Sequence, residues 1–97
     1  MGSYDDRSME VQHTVVMFSR QTCGLCDEAR VVIEKQLGSG PTFGFREVFI
    51  DGDQGLERDY GLRVPVVEVD GREEFEFVVD PRRFRDLVTV PSIRPEA

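Results

Sequence analysis

Two short apolar runs flank a stretch patterned as a helix, and this arrangement restricts the fold more than any other feature of the chain. Thr14-Val15-Val16-Met17-Phe18 is nearly continuous in apolar and β-branched residues. Its length and branching favour a buried strand over a helix. Residues 43–50 read as a second buried strand through Phe45, Val48, Phe49 and Ile50. Between them, Ala29, Val32, Ile33 and Leu37 fall on one helical face and predict a helix over 24–37. Gly38 stands where a left-handed cap is expected, and Gly40-Pro41 opposes continuation. A helical connection of this length is a crossover, so the two strands should be parallel.

The remainder completes one sheet. Asp51-Gly52-Asp53 ends the second strand, and Asp51 or Asp53 is placed to cap a short helix carrying Leu56 and Tyr60 on one side and closed by Gly61. Tyr60 is expected in the core. Residues 64–69 read as a third strand with Pro65 at its start, and Asp70-Gly71 is a strong hairpin signal. Residues 72–79 alternate, with Phe75, Phe77 and Val79 toward a core and Glu74 and Glu76 toward water. Asp80-Pro81 offers a cap followed by proline at the first helical position. Phe84, Leu87 and Val88 give the last helix its apolar stripe, which leaves Arg82, Arg83 and Arg85 as a solvated face. The predicted order is β-α-β-α-β-β-α, an α/β domain with a single four-stranded mixed sheet covered by helices. It spans 13–90, after a flexible segment over 1–12 and before a tail over 91–97.

Composition excludes several function classes. The chain has 97 residues, enough for one small domain of the usual ~100–150. Its net charge is −7, and its largest basic cluster is Arg82, Arg83 and Arg85, so nucleic-acid binding is not expected. No apolar run approaches the ~20 residues that span a bilayer, so no membrane role is expected. The first twelve residues are polar and acidic without the apolar core of a secretory signal, which favours the cytoplasm.

The two cysteines, Cys23 and Cys26, direct the search for chemistry. Three residues apart, they close almost no loop and add little stability as a cross-link. They lie between the first strand and first helix, where unpaired helical N–H groups and the helix dipole stabilise a thiolate. Cys23, at or near the cap, is the expected nucleophile, and Cys26, about one turn in, the resolving thiol. Arg20 favours a thiolate at Cys23, whereas Asp27 and Glu28 oppose it, so a moderate lowering of the Cys23 pKa is expected. A pair at this spacing is also half of a zinc site, but four ligands are the norm. The chain has no second cysteine pair, and its single histidine, His13, has no ligating neighbour in sequence. No metal is therefore expected within one chain.

The stretch from Val16 to Cys26 resembles the active-site strand and loop of glutaredoxins, within the thioredoxin fold. Its core, Cys23-Gly24-Leu25-Cys26, is similar to that of small bacterial glutaredoxin-like proteins. Arg20 matches the basic residue that this family directs at a glutathione carboxylate. Arg63-Val64-Pro65 resembles the family's Thr-Val-Pro segment, which implies a cis proline at Pro65 and a Val64 backbone offered to an extended thiol substrate. The Cys-Pro-Tyr-Cys core of dithiol glutaredoxins is absent, Arg63 replaces the threonine, and Phe77-Val78-Val79-Asp80-Pro81 stands in place of the glycine-rich glutathione loop. Dithiol chemistry is therefore better supported than glutathione binding.

The resemblance implies a monomeric thiol–disulfide oxidoreductase acting on protein disulfides or glutathione-type mixed disulfides. Its catalytic residues would be Cys23 and Cys26, with Arg20, Val64 and Pro65 binding substrate. No bound cofactor is expected. Glutathione or another low-molecular-weight thiol would be a co-substrate, or a reductase would supply electrons. The rival reading is a non-catalytic binding or redox-sensing module that uses the same cysteines for a metal, a cluster or a partner. The plainest reading of the two cysteines is a pair of buried structural thiols.

Overall fold

The computed structural model describes residues 13–90, and the expected N-terminal segment and C-terminal tail lie outside them. Its elements are β1 (His13–Ser19), α1 (Gly24–Leu37), β2 (Phe43–Phe49), α2 (Gln54–Tyr60), β3 (Val66–Val69), β4 (Arg72–Glu76) and α3 (Pro81–Thr89). This is the expected order. The strands form one sheet, β2-β1-β3-β4. β1 runs parallel to β2 and antiparallel to β3, and β3 runs antiparallel to β4.

Alternation along β1 sorts the layers. Val15 and Met17 are fully buried and join Ala29 and Ile33 of α1 and Phe84 and Val88 of α3 in one cluster. Phe18, of opposite parity, stacks on Tyr60 of α2, with ring centroids 4.1 Å apart and planes at 9°. Thus α1 and α3 cover one face and α2 the other. Phe84 anchors the larger core. It is fully buried, meets Phe43 edge-on at 5.5 Å, and lies 6.3 Å from Phe75.

Local chemistry explains most boundaries. Asp53 caps α2 by accepting from Leu56 N at 3.0 Å, and Asp80 caps α3 by accepting from Arg82 N at 3.2 Å. Asp70 and Gly71 both take positive φ, 54° and 84°, as the tight hairpin requires. The Asp70 carboxylate accepts from Thr14 N at 2.9 Å and lies 2.6 Å from His13 Nδ1. His13 is buried, and its Nε2 donates to the Val90 carbonyl. A residue that looked solitary in sequence therefore ties β1 to the hairpin and to the end of α3.

Several boundaries differ from the sequence reading. β4 ends at Glu76, not Val79, because Phe77 takes φ 68° and turns its side chain to solvent. Phe75 and Val79 are buried as expected, but Phe77 is not part of the core. β3 starts at Val66, which leaves Val64 and Pro65 in the preceding loop, and its pairing with β4 is irregular between Val67 and Glu68. β2 stops at Phe49, although Ile50 is buried and its N–H reaches Ser19 O at 2.9 Å. Gly38 is right-handed (φ −86°), and the positive φ falls on Gly40 at 135°. Leu37 is exposed at the frayed end of the α1 stripe, and Tyr60 is only half-buried. Arg82, Arg83 and Arg85 are exposed as expected, and Arg83 in addition lies 5.0 Å over the Phe75 ring and binds Glu74.

Replacing Phe84 by Ala empties the centre of this core. The expected cost is about 3–5 kcal/mol, read as a lower urea midpoint with an unchanged slope.

Candidate active site

The strand register brings the site together. Phe18 of β1 pairs with Val66 of β3, so the loop leaving β1 and the Val64-Pro65 segment entering β3 share one end of the sheet. Val66 pairs with Glu76 of β4, and Phe77 N donates to Pro65 O at 2.9 Å, so the chain leaving β4 reaches the same end. The Val64–Pro65 peptide is cis, and Pro65 is fully buried. The loop that carries Cys23 and Cys26 and the segment that carries Val64 and Pro65 therefore lie at the same end of the sheet.

Cys23 is the N-cap of α1 and is extended (φ −127°, ψ 109°). Its carbonyl accepts the first helical bond, from Asp27 N at 3.0 Å, and its Sγ accepts from Cys26 N at 3.1 Å. One of the unpaired donors at the helix start therefore points at the sulfur, where negative charge is favoured. Cys23 and Cys26 form a disulfide with Cα atoms 5.2 Å apart, inside the usual range of about 4.4–6.8 Å. Cys26 is fully buried and Cys23 only half so, and this asymmetry separates an accessible sulfur from a protected one.

The loop ahead of Cys23 is held from three sides. Ser19 O accepts from Ile50 N, Gln21 N donates to Asp51 Oδ1 at 3.1 Å, and Arg20 Nε donates to Gly61 O at 3.4 Å. Between them Thr22 adopts φ 53°, a left-handed conformation that costs a β-branched residue about 1–3 kcal/mol. Arg20 therefore faces α2, where Glu57 stands 3.9 Å from its Nη1.

Below the site, Arg30 of α1 grips Glu47 of β2 through two bonds of 2.8 and 2.6 Å, and buried Ser19 donates to the same carboxylate at 2.6 Å. The Arg30 guanidinium is the main cause that holds the Glu47 carboxyl below the usual carboxylate range, against the opposing effect of burial. Arg30 also binds Asp27 at 2.8 Å. Asp27 is therefore partly neutralised, and its expected opposition to a Cys23 thiolate is weakened. Arg63 binds Glu73 and Glu76 on β4 and lies 5.5 Å over the Tyr60 ring, which fixes the residue before Val64. Arg63 likewise holds Glu73 below its usual range.

Sequence reasoning missed Glu47, Ser19, Arg30, Asp51 and Gly61, because their partners are 17 to 41 residues away. Gly61 carried a signal that was read differently. It is right-handed (φ −53°), so no left-handed cap needs it. It is glycine because an added Cβ would stand 2.4 Å from Glu57 O and 3.0 Å from an Arg20 nitrogen. Among the described residues no three His, Cys, Asp or Glu side chains converge as a metal site, and no helix is long and apolar enough to cross a membrane.

This cysteine pair at a strand-to-helix junction, at the same end of a mixed sheet as a cis proline, places the chain among thioredoxin-fold proteins. A solved structure of a thioredoxin mutant from Halobacterium salinarum is similar over 87% of this chain and 78% of its own, at 27% identity and a TM-score of 0.56. Residues 14–89 match the Glutaredoxin-like domain family (DUF836), and the chain belongs to that family. The protein XcR50 from X. campestris is 38% identical, with a TM-score of 0.61 over 74% of this chain and 91% of its own. The uncharacterized protein Rv0508 of Mycobacterium tuberculosis is 34% identical over 73% of this chain and 77% of its own.

Two predictions follow from these contacts. Glu47→Gln leaves Arg30 without its bidentate partner, and a loss of about 1.5–3 kcal/mol is expected at neutral pH. Because the folded carboxyl titrates below its ordinary 4.5, its contribution is present above that value and fades as pH falls through the folded value. Urea titrations of wild type and variant should therefore converge in acid and diverge above pH 5. Gly61→Ala should cost about 1–3 kcal/mol by overpacking, because the obstructing atom is backbone and cannot swing away. The same titration at neutral pH reads this loss.

Proposed function

We propose that this protein is a thiol–disulfide oxidoreductase that uses Cys23 and Cys26 to reduce or exchange disulfides of proteins or of glutathione type. The observation that carries this reading is the Cys26 N–H aimed at Cys23 Sγ at the start of α1, with Cys26 itself buried. In the reduced protein the same donor and the helix dipole favour a thiolate on Cys23.

Cys23 attacks one sulfur of the substrate disulfide. A Cys23–substrate bond forms, and the other sulfur leaves as a thiolate that takes a proton from water. Cys26, having lost its proton to water, then attacks Cys23 Sγ and expels the second substrate sulfur. The substrate gains two electrons, and the protein is left as the Cys23–Cys26 disulfide. Glutathione, another low-molecular-weight thiol or a reductase returns the pair to the dithiol.

Val64 supplies the substrate contact. Among the described residues its backbone N–H and carbonyl have no backbone partner, so they are available to an extended chain lying beside Cys23. Buried Pro65 fixes that segment. Arg20 serves as a further substrate contact only by leaving Gly61 and Glu57. The protein acts as a monomer in the cytoplasm, where the dithiol is kept reduced.

Cys23→Ser is expected to abolish turnover of insulin disulfides. Cys26→Ser should accumulate a mixed disulfide, seen by mass spectrometry as a substrate-sized adduct lost on reduction. Wild-type activity in both variants, with metal copurifying, would overturn the reading in favour of a metal-binding module.

A further inference from the structure

The surface around the cysteines carries, among the described residues, exposed apolar side chains, and the arginines nearest to it each meet a carboxylate. Among the described residues, Leu25 lies between the two cysteines, Leu62 two positions before Val64, and Phe77 and Val78 follow β4. All four are exposed, from 41% for Leu25 to 93% for Leu62. They come from three separate segments, and the register places those segments at one end of the sheet. Leu25, Ala29 and Val32 of α1 face Phe77 and Val78 across a depression of about 70 Å³. That is room for one small aliphatic side chain, well short of the ~300–1,000 Å³ of a small-molecule pocket.

The charges around it are as selective. The arginines nearest in sequence to the cysteines and to Val64 are already bound to carboxylates. Arg20 meets Glu57, Arg30 meets Asp27 and Glu47, and Arg63 meets Glu73 and Glu76. Glu28 lines the depression and is exposed. Glutathione brings two carboxylates, one ammonium group and no apolar side chain; here the three nearby arginines already meet carboxylates, and the rim carries the further carboxylate of Glu28.

We infer that, on the dithiol chemistry proposed above, the site selects polypeptide disulfides whose cysteine is flanked by an aliphatic and a cationic residue, and discriminates against glutathione disulfide. The aliphatic side chain enters the depression between Leu25 and Val78. The cation meets Glu28, and the peptide backbone pairs with Val64. Phe77 and Val78 are specificity-determining residues of this surface.

The test uses pre-reduced full-length protein and three symmetric disulfides: hydroxyethyl disulfide, glutathione disulfide, and the dimer of a blocked peptide carrying Leu and Arg beside its cysteine. Acid quenching, alkylation and mass spectrometry give the rate of Cys23–Cys26 oxidation. The peptide should react at least tenfold faster than glutathione disulfide. Val78→Asp should lower the peptide-to-hydroxyethyl rate ratio about tenfold, and Val78→Leu should preserve it. Equal rates with peptide and glutathione disulfide, or a ratio unmoved by Val78→Asp, would overturn the inference while leaving the dithiol chemistry standing. No oxidation by any of the three, including the neutral one, would overturn both. A wild-type dimer in sedimentation that Val78→Asp converts to monomer would assign the surface to a second copy of the chain and overturn the inference.

Discussion

β1 is hydrogen-bonded on both sides, to β2 along its whole length and to β3 from Val15 to Phe18. Its end at Ser19 is therefore fixed with respect to the rest of the sheet. The chain that leaves it has few options, because Ile50 N, Asp51 and Gly61 hold the next residues in turn. The start of α1 is thus a consequence of strand pairing, and the orientation of the Cys26 N–H toward Cys23 follows from the start of α1. Arg30 and Glu47 then lock the helix to β2, so that the helix axis, and with it the dipole at the sulfur, does not wander.

The cysteine pair adds little to the stability of the fold. A cross-link between residues three apart removes little entropy from the unfolded chain, whereas a buried aromatic such as Phe84 is worth several kcal/mol. The fold therefore does not depend on this disulfide. The nearby ion pairs follow the same division. Glu47 is mostly shielded from water and bound by three donors, so its removal is felt. The Arg20–Glu57 contact is long and half-exposed, worth roughly 0–1 kcal/mol.

The sequence was most legible where local pattern and tertiary demand agree. The apolar run at Val15–Met17, the stripe through Ala29 and Ile33, and the Asp70-Gly71 hairpin each have one physical reading, and each stands as expected. The cysteine pair and Val64-Pro65 were legible because motif and position coincide. Boundaries were less so. Phe77 continues the alternation of Phe75 perfectly in sequence, yet its backbone takes φ 68° and leaves the strand opposite Pro65, which has no N–H to return to the ladder, a break no periodicity reveals. Glu47 looked like one polar residue in a strand, and Gly61 like an ordinary helix end. Their roles depend on Arg30, Ser19 and Arg20, which only the folded chain brings near.

The early end of β4 has a consequence for association. β4 is an edge strand, and an exposed row of unpaired N–H and C=O groups invites other chains to pair. Here the row is five residues long, carries Arg72, Glu73, Glu74 and Glu76, and adjoins an irregular stretch of β3 pairing. Charge and brevity make it a poor template for a stranger's backbone. Among the described residues the Val64 backbone has no backbone partner, and it is a different kind of opening, short and at the end of the sheet where β1 leads into the cysteine loop. The molecule thus keeps the β4 edge short and charged and leaves the brief opening at Val64 unguarded.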